Sequence, residues 1–269
     1  MPILTPKQAR RAAERFDEAE RTRRQMRPLT FDYPEMDMVD AHAVQDAWVA
    51  IKLARGARIR GRKIGLTSKA MQRAMNIDEP DYGTLLDDMF FDDGAGIETA
   101  SFLDPRVEVE ICFVLNDALQ GTEVTVEQVL DATEAVYPSL ELIAARSYRV
   151  DPETGKTRTV VDTIADNAAS AGVVLGSRGF DPRELDLPWC GAALYCNGEV
   201  EETGLAAAVM GHPANGVCWL ARRFAAHGIS LKSGDAILSG SFTRPVAASA
   251  GDDFLADFGP LGRIGCRFV

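Results

Sequence analysis

Pro105-Arg106-Val107-Glu108-Val109-Glu110-Ile111-Cys112-Phe113-Val114-Leu115 decides how this chain is read. Side chains alternate faces along a strand, so Val107, Val109, Ile111, Phe113 and Leu115 line one face while Glu108 and Glu110 point together from the other. Two residues of strand span about 7 Å, and two negative charges that close in an apolar strand are costly unless something positive sits between them. A hard divalent cation is the simplest candidate. The same pair also suits an edge strand with two solvated glutamates, so the choice falls to the rest of the chain.

Downstream, Ser139-Leu140-Glu141-Leu142-Ile143 is a short apolar run interrupted by one carboxylate. With Glu108 and Glu110 it makes three, and three carboxylates plus waters suit the octahedral, oxygen-only demand of Mg²⁺ or Mn²⁺. Upstream, Arg58 to Thr67 reads as a strand whose Gly61 and Gly65 admit a close neighbour, with Lys63 in its middle. Lysines are few (Lys7, Lys52, Lys63, Lys69, Lys156 and Lys232), so one in a strand suits proton chemistry, although a snorkelling surface lysine fits the pattern as well. Asp78-Glu79-Pro80-Asp81-Tyr82-Gly83 reads as a loop presenting Asp81, either toward a site or as a plain turn former.

The composition excludes several classes. A chain of 269 residues with 46% hydrophobic and 26% charged residues is large enough for one substantial core plus an accessory segment. The net charge of −11 speaks against a nucleic-acid or anionic-membrane partner, since both need a positive surface. The five cysteines are scattered and never form Cys-x-x-Cys, which suits reduced core thiols. There is no apolar leader and no run of membrane-spanning length, so a cytoplasmic protein is expected. Three histidines (His42, His212, His227) leave little material for a zinc site or a Ser-His-Asp triad, and acid–base work falls to carboxylates and lysine.

Thr5-Pro6-Lys7-Gln8 is a helix start with a capping box, and the helix is expected to reach about Met26. A second amphipathic helix is expected from about Asp37 to Arg55, with Gly56 as its stop. Together they predict a helical N-terminal cap over residues 1–57, followed by a catalytic domain over 58–269. Thr125 and Gln128 open another helix, expected to end near Val136 before Tyr137-Pro138. Residues 146–166 are polar and read as a flap, ending in the small, polar Asp166-Asn167-Ala168-Ala169-Ser170. Asn197-Gly198 marks a two-residue hairpin, Pro213 starts a helix that Gly228 stops, and strands are expected at 235–238, 239–245 and 264–269. Arg244, in a Gly/Ser/Thr-rich turn, is a candidate clamp for a carboxylate or simply an exposed arginine. One catalytic domain of mixed α and β accounts for the pattern.

Taken in order, Gly61-Arg62-Lys63-Ile64-Gly65-Leu66-Thr67, Asp81-Tyr82-Gly83, Arg106 to Glu110, Glu141, and Gly240-Ser241-Phe242-Thr243-Arg244-Pro245 resemble the hydratase and decarboxylase branch of the fumarylacetoacetate hydrolase superfamily. The resemblance covers nearly the whole chain, including both N-terminal helices. It implies an α+β fold with a mixed β-roll, barrel-like core, a Mg²⁺ or Mn²⁺ held by Glu108, Glu110 and Glu141, and a homo-oligomer. It further implies that a small 2-oxo or 2-hydroxy dienoic acid chelates the metal, with Lys63 and Asp81 beside it as catalytic residues.

The activity it implies is metal-dependent addition of water to a 2-hydroxy-2,4-dienoate or 2-oxo-4-enoate in the breakdown of aromatic compounds. The expected substrate is a seven-carbon 2-oxo-4-ene-1,7-dioate, giving 4-hydroxy-2-oxoheptanedioate. Alternatives on the same scaffold are hydration of the five-carbon 2-hydroxypenta-2,4-dienoate and decarboxylation of the 4-oxalocrotonate type; the Phe242-Thr243-Arg244 turn favours hydration. Asp166, Asn167, Ser170, Ser241 and Thr243 are expected to contact substrate, and Arg244, or an arginine in the 146–149 turn, to grip a distal carboxylate. Acylpyruvate hydrolysis commonly enlists a histidine near the metal, and none lies in these motifs. A non-enzymatic scaffold role would fit a chain lacking a metal ligand or Lys63, and all are present.

Overall fold

The structure is a computed structural model that describes residues 2–74 and 77–269. In chain order its elements are α1 (Pro6–Thr22), α2 (Met38–Ala54), β1 (Ile59–Gly65), α3 (Lys69–Ala74), β2 (Asp81–Leu86), β3 (Phe90–Asp92), β4 (Ala95–Ile97), β5 (Arg106–Leu115), α4 (Val126–Asp131), β6 (Thr133–Ile143), α5 (Val160–Ala165), β7 (Ser170–Leu175), β8 (Gly191–Cys196), β9 (Glu199–Leu205), α6 (Pro213–Ala225), β10 (Ala236–Leu238), β11 (Val246–Ala247), β12 (Asp253–Asp257) and β13 (Arg263–Phe268).

Local chemistry sets many of the boundaries. Thr5 and Gln8 close the expected capping box on α1, and Asp37 with Asp40 closes one on α2. α1 stops at Thr22, short of Met26, because Arg23 turns left-handed (φ 56°) and donates its N–H back into the last turn. Asn197 (φ 54°) and Gly198 (φ 84°) form the expected hairpin turn between β8 and β9. Thr125 and Gln128 do cap α4, but the helix ends at Asp131 rather than near Val136. A capping box fixes a helix start and not its length; Thr133 to Val136 are claimed instead by pairing with β5.

β6 then runs straight through Tyr137-Pro138, where a helix stop was expected. Proline lacks the N–H a central strand needs. Here its nitrogen faces the side on which β7 has already ended, and its carbonyl accepts from Gly176 N–H at 3.0 Å. The expected Asp81-Tyr82-Gly83 loop is likewise the start of β2, pairing Asp81 with Gly65 and Gly83 with Lys63. Residues 239–245 carry no strand; only Val246 and Ala247 pair, with the start of β5.

The strands make two mixed sheets, one of eight strands ordered β2-β1-β10-β5-β6-β7-β3 with β11 beside β5, and one of five ordered β4-β13-β12-β8-β9. Among the described residues neither closes into the expected barrel-like form, because β2 and β3 end the larger path with the other strands between them. The Val107, Val109, Ile111, Phe113 and Leu115 face of β5 is fully buried against the second sheet and α6, in one cluster with Leu194, Phe254, Ile264, Phe268 and Leu220. Beyond Glu110 the opposite face carries Cys112, which joins Leu238 and Val173 in a cluster with Phe16 and Trp48 of the N-terminal helices.

Ion pairs lock α1 to α2 and to the chain beyond β6. The Arg55 fork donates to both oxygens of the buried Asp17 at 2.5 and 2.8 Å. Glu20 accepts from Lys52 at 2.9 Å and from Arg146 at 2.8 Å. Burial alone would raise both carboxyls, but these cations outweigh it and hold them below their ordinary values of 3.8 and 4.5. A carboxyl lowered by folding contributes stability above its unfolded value and loses it as pH falls through the lowered one. Asp17→Asn is therefore expected to cost about 2 kcal/mol at neutral pH, between the worth of an exposed and a buried pair, or about 5 °C in Tm. Melts carried from neutral into acid should show that difference shrinking toward zero; a constant difference would deny Asp17 this role.

Candidate metal centre and active site

Strand register builds the site. Partners in a ladder share a face, so the pairings Asp81↔Gly65, Lys63↔Leu238, Leu238↔Cys112 and Glu108↔Glu141 carry one face across five strands. Lys63, Asp81, Glu108, Glu110 and Glu141 all project from it. One oxygen each of Glu108, Glu110 and Glu141 lies within 4.8 Å of the other two. Lys63 Nζ lies 3.2 Å from Glu141 Oε1 and donates to Oε2 at 3.4 Å. Gly240 N–H donates to Glu110 Oε2 at 2.8 Å. The glycines are structural necessities here: a Cβ on Gly65 would lie 2.1 Å from Asp81 Oδ1, and one on Gly83 2.4 Å from Ser170 Oγ.

Burial, and then the charge of Glu141, push the Glu108 carboxyl up to about 8. The same two causes, with Glu108 added, carry Glu110 well above its ordinary range. Burial raises Glu141 as well, with Lys63 pulling the other way. For Lys63, burial favours the neutral amine, but Glu141 and then Asp81, Glu108 and Glu110 together outweigh it and keep the ammonium charged. Burial also raises Asp81, opposed by Lys63 and by Arg158. Among the described residues Asp81 Oδ1 is buried without a hydrogen-bond donor, and Glu141 Oε1 has the Lys63 ammonium as its one cationic neighbour. An all-oxygen cluster of three buried carboxylates beside a single ammonium has too little positive charge and fits a hard divalent cation.

The expected substrate contacts have mixed fates. The Ser170 hydroxyl is buried without a hydrogen-bond partner among the described residues, against Gly83 and near Lys63. Asn167 instead exchanges two bonds with the Thr84 backbone, at 2.8 and 2.9 Å, and staples β2 to the segment before β7. That segment is held left-handed at Asn167, Ala168 and Ala169 (φ 52°, 49° and 60°), a conformation costing about 1–2 kcal/mol per non-glycine residue.

Asp166 accepts from Arg146 N–H at 2.8 Å and from its guanidinium at 3.1 Å. Thr243 Oγ1 accepts from Val109 N–H at 3.0 Å and braces β5, while Ser241 Oγ donates to Thr243 O at 2.8 Å and braces the turn itself. Arg244 is 83% exposed and pairs with Glu202; the structure does not turn it toward the carboxylates. His42, in α2, stacks on Tyr82 with ring centroids 4.5 Å apart. Tyr82 projects from the opposite face of β2 to Asp81, so the imidazole stays outside the carboxylate cluster.

The 146–166 segment, expected as a flap, holds α5 and a short hairpin. Asp151 pins that hairpin by accepting from Arg27 at 2.8 Å and from Thr154 N–H at 2.9 Å. It delivers Arg149 and Arg158 to the rim of the site. Arg149 is close enough to pull Glu108 down, and Arg158 does the same to Asp81. Burial and then the charge of Arg158 push the Arg149 guanidinium down in turn. Arg106, two residues before Glu108, projects from the same face. Its position was readable from strand alternation, whereas Arg158 carries no local signal.

No protein-family model matches the chain. It is 55% identical over 257 residues to a 2-oxo-hept-4-ene-1,7-dioate hydratase of Escherichia coli, covering 96% of each chain. It is 41% identical to a 2-hydroxyhexa-2,4-dienoate hydratase of Comamonas testosteroni, over 95% of this chain and 96% of that one. Among solved structures, 4-oxalocrotonate decarboxylase from Pseudomonas putida G7, complexed with magnesium and adipate, superposes with a TM-score of 0.94 at 34% identity over the whole of both chains.

Mg²⁺ or Mn²⁺ at about a hundred times its dissociation constant is expected to stabilise the fold by about 2.7 kcal/mol, a rise in Tm of several degrees. Glu141→Gln should abolish that rise. An unchanged wild-type Tm across the metal titration would remove the three glutamates as a cation site.

Proposed function

The chain belongs to the hydratase and decarboxylase branch of the fumarylacetoacetate hydrolase superfamily, and on that premise we propose that it is a metal-dependent hydro-lyase adding water to 2-oxo-hept-4-ene-1,7-dioate to give 4-hydroxy-2-oxoheptanedioate. The observation that carries the reading is the single sheet face on which Lys63 and Asp81 stand beside three clustered carboxylates. Identity of 55% to a hydratase of that substrate, against 34% to the decarboxylase, favours hydration over loss of carbon dioxide.

Glu108, Glu110 and Glu141 would hold the metal, whose Lewis acidity acts on the C1 carboxylate and C2 oxygen of a 2-oxo acid. Lys63, kept charged by its neighbours, donates a hydrogen bond to the charge that develops on the C2 oxygen. Asp81 takes a proton from C3 and returns one at C5, moving the C4–C5 double bond into conjugation with the ketone. Conjugation makes C4 electrophilic; the oxygen of water bonds there and a proton is added at C3, so the product gains one water in all. The Ser170 hydroxyl, without a hydrogen-bond partner among the described residues and beside Gly83, suits a contact to the bound acid. The reading extends to a homo-oligomer in the cytoplasm, with α1 and α2 as a cap on the catalytic sheet.

Stripped of metal and then restored with Mg²⁺, the protein should hydrate 2-hydroxyhepta-2,4-dienedioate only in the restored state, seen as loss of the dienol chromophore and a product heavier by one water. Carbon dioxide release from 2-oxohex-3-enedioate without hydration would move it to the decarboxylase reading. Asp81→Asn should lower kcat by about a hundredfold or more, within the usual range for a lost acid–base group. Gly65→Ala, which drives a methyl into Asp81 Oδ1, should do nearly the same with metal binding retained; near-wild-type kcat in both would remove Asp81 from the chemistry.

A further inference from the structure

We propose that Arg106, Arg149 and Arg158 form a subsite for a second carboxylate, holding the far end of a dioate whose 2-oxo acid end lies at Glu108, Glu110 and Glu141. The inference rests on the 2-oxo acid reading above and adds what selects a dicarboxylate over a monocarboxylate.

Three observations converge. Arg106 occupies the same face of β5 as Glu108 and Glu110 and, being two residues from Glu108, stands about 7 Å further along the strand. An extended seven-carbon chain spans about 7.5 Å between its end carbons, so a dioate lying along the strand reaches from one to the other. Second, the hairpin places Arg149 and Arg158 opposite each other: Arg158 N–H donates to Arg149 O at 2.9 Å, beside the Val150–Thr157 bridge. Arg149 Nε then reaches Asp104 Oδ2 at 2.5 Å, and Arg106 Nη2 stands 4.0 Å from that same oxygen, which brings hairpin and strand together.

Third, two of the three arginines are under-partnered, while Arg149 is held by Asp104. Arg106 Nε is buried with no hydrogen-bond acceptor among the described residues. Among the described residues the Arg158 side chain, 6% exposed, makes a single long contact of 3.4 Å to Asp166 Oδ2, and Asp166 is already engaged by Arg146. Three guanidinium groups thus share two aspartates, one of them committed elsewhere. Like charges gathered in a partly buried place call for an anion, and the planar arginine fork matches a carboxylate bidentately. Arg244, paired outward with Glu202, leaves this role open.

The test is calorimetric binding of 2-oxoheptanedioate and 2-oxoheptanoate, which lack the alkene and do not turn over, to the Mg²⁺-loaded protein. Wild type should prefer the dioate by about thirtyfold, the scale of charge-assisted hydrogen bonds gained at one end. Arg158→Met should reduce the ratio to about threefold, and Arg158→Lys, which keeps the charge but loses the fork, should fall between. If Arg158→Met fails to fold, Arg149→Met, at a side chain 20% exposed, carries the same two outcomes. A ratio that stays near thirtyfold in these variants overturns the subsite while leaving the 2-oxo acid reading intact. Failure of wild type to bind either compound overturns both.

Discussion

Like charges meeting across one pair of strands are the constraint on which the rest of the molecule turns. Glu108 and Glu141 are direct partners in the β5–β6 ladder, and Glu110 stands one pleat further along the same face. Like charges directly opposite destabilise a sheet, and burial multiplies the penalty by removing water. Every neighbour answers that cost. Lys63 is brought in along β1 with β10 between it and β5, its ammonium lies 3.2 Å from Glu141, and Gly240 turns its N–H onto Glu110. A dication that replaces shared protons is the charge such a cluster lacks.

Much of the remaining architecture serves to hold that face still. Thr243 braces β5 at Val109, directly between the two glutamates, which explains why the Ser241–Thr243 turn looked like a site while its hydroxyls are spent on backbone. Asn167 does the equivalent for β2, fixing the strand that carries Asp81, at the expense of three consecutive left-handed residues. Strain of that kind persists only where the surroundings over-determine it. The Arg146 side chain then joins this segment, through Asp166, to Glu20 on α1 and lies over the Trp48 ring of α2. The helices are thereby coupled to the site by ion pairs and not by apolar packing alone.

What the sequence made legible follows the range of each signal. Alternation along one strand placed Glu108 and Glu110 together, and caps and turn residues at Thr5, Asp37, Asn197-Gly198 and Pro213 located their elements, because each is set by residues a few positions apart. The extent of α4 was not legible, since a capping box is blind to the pairing that pulls Thr133 to Val136 into β6. Nor was the insertion of β10 between β1 and β5, which depends on packing across the whole chain. Polar side chains were the least legible. Asp166, Asn167, Ser241 and Thr243 look alike whether they bind a substrate or satisfy a buried backbone, and only the fold decides between those uses.

The two ends of the site differ in kind for the same reason. The triad end is written on paired strands, where register fixes side chains to within a pleat, and the solved decarboxylase superposes over the whole chain. The far end joins one strand residue, Arg106, to a hairpin whose position depends on Asp151, Arg27 and Asp104. On the proposed reading, proton transfer at C3 and C5 needs groups placed to a fraction of an ångström, whereas a carboxylate gripped by charge tolerates more play. On the same proposed reading the sheet carries the chemistry, while Arg106 and the hairpin between Arg146 and Asp166 set the length and charge of the acid that fits beside it.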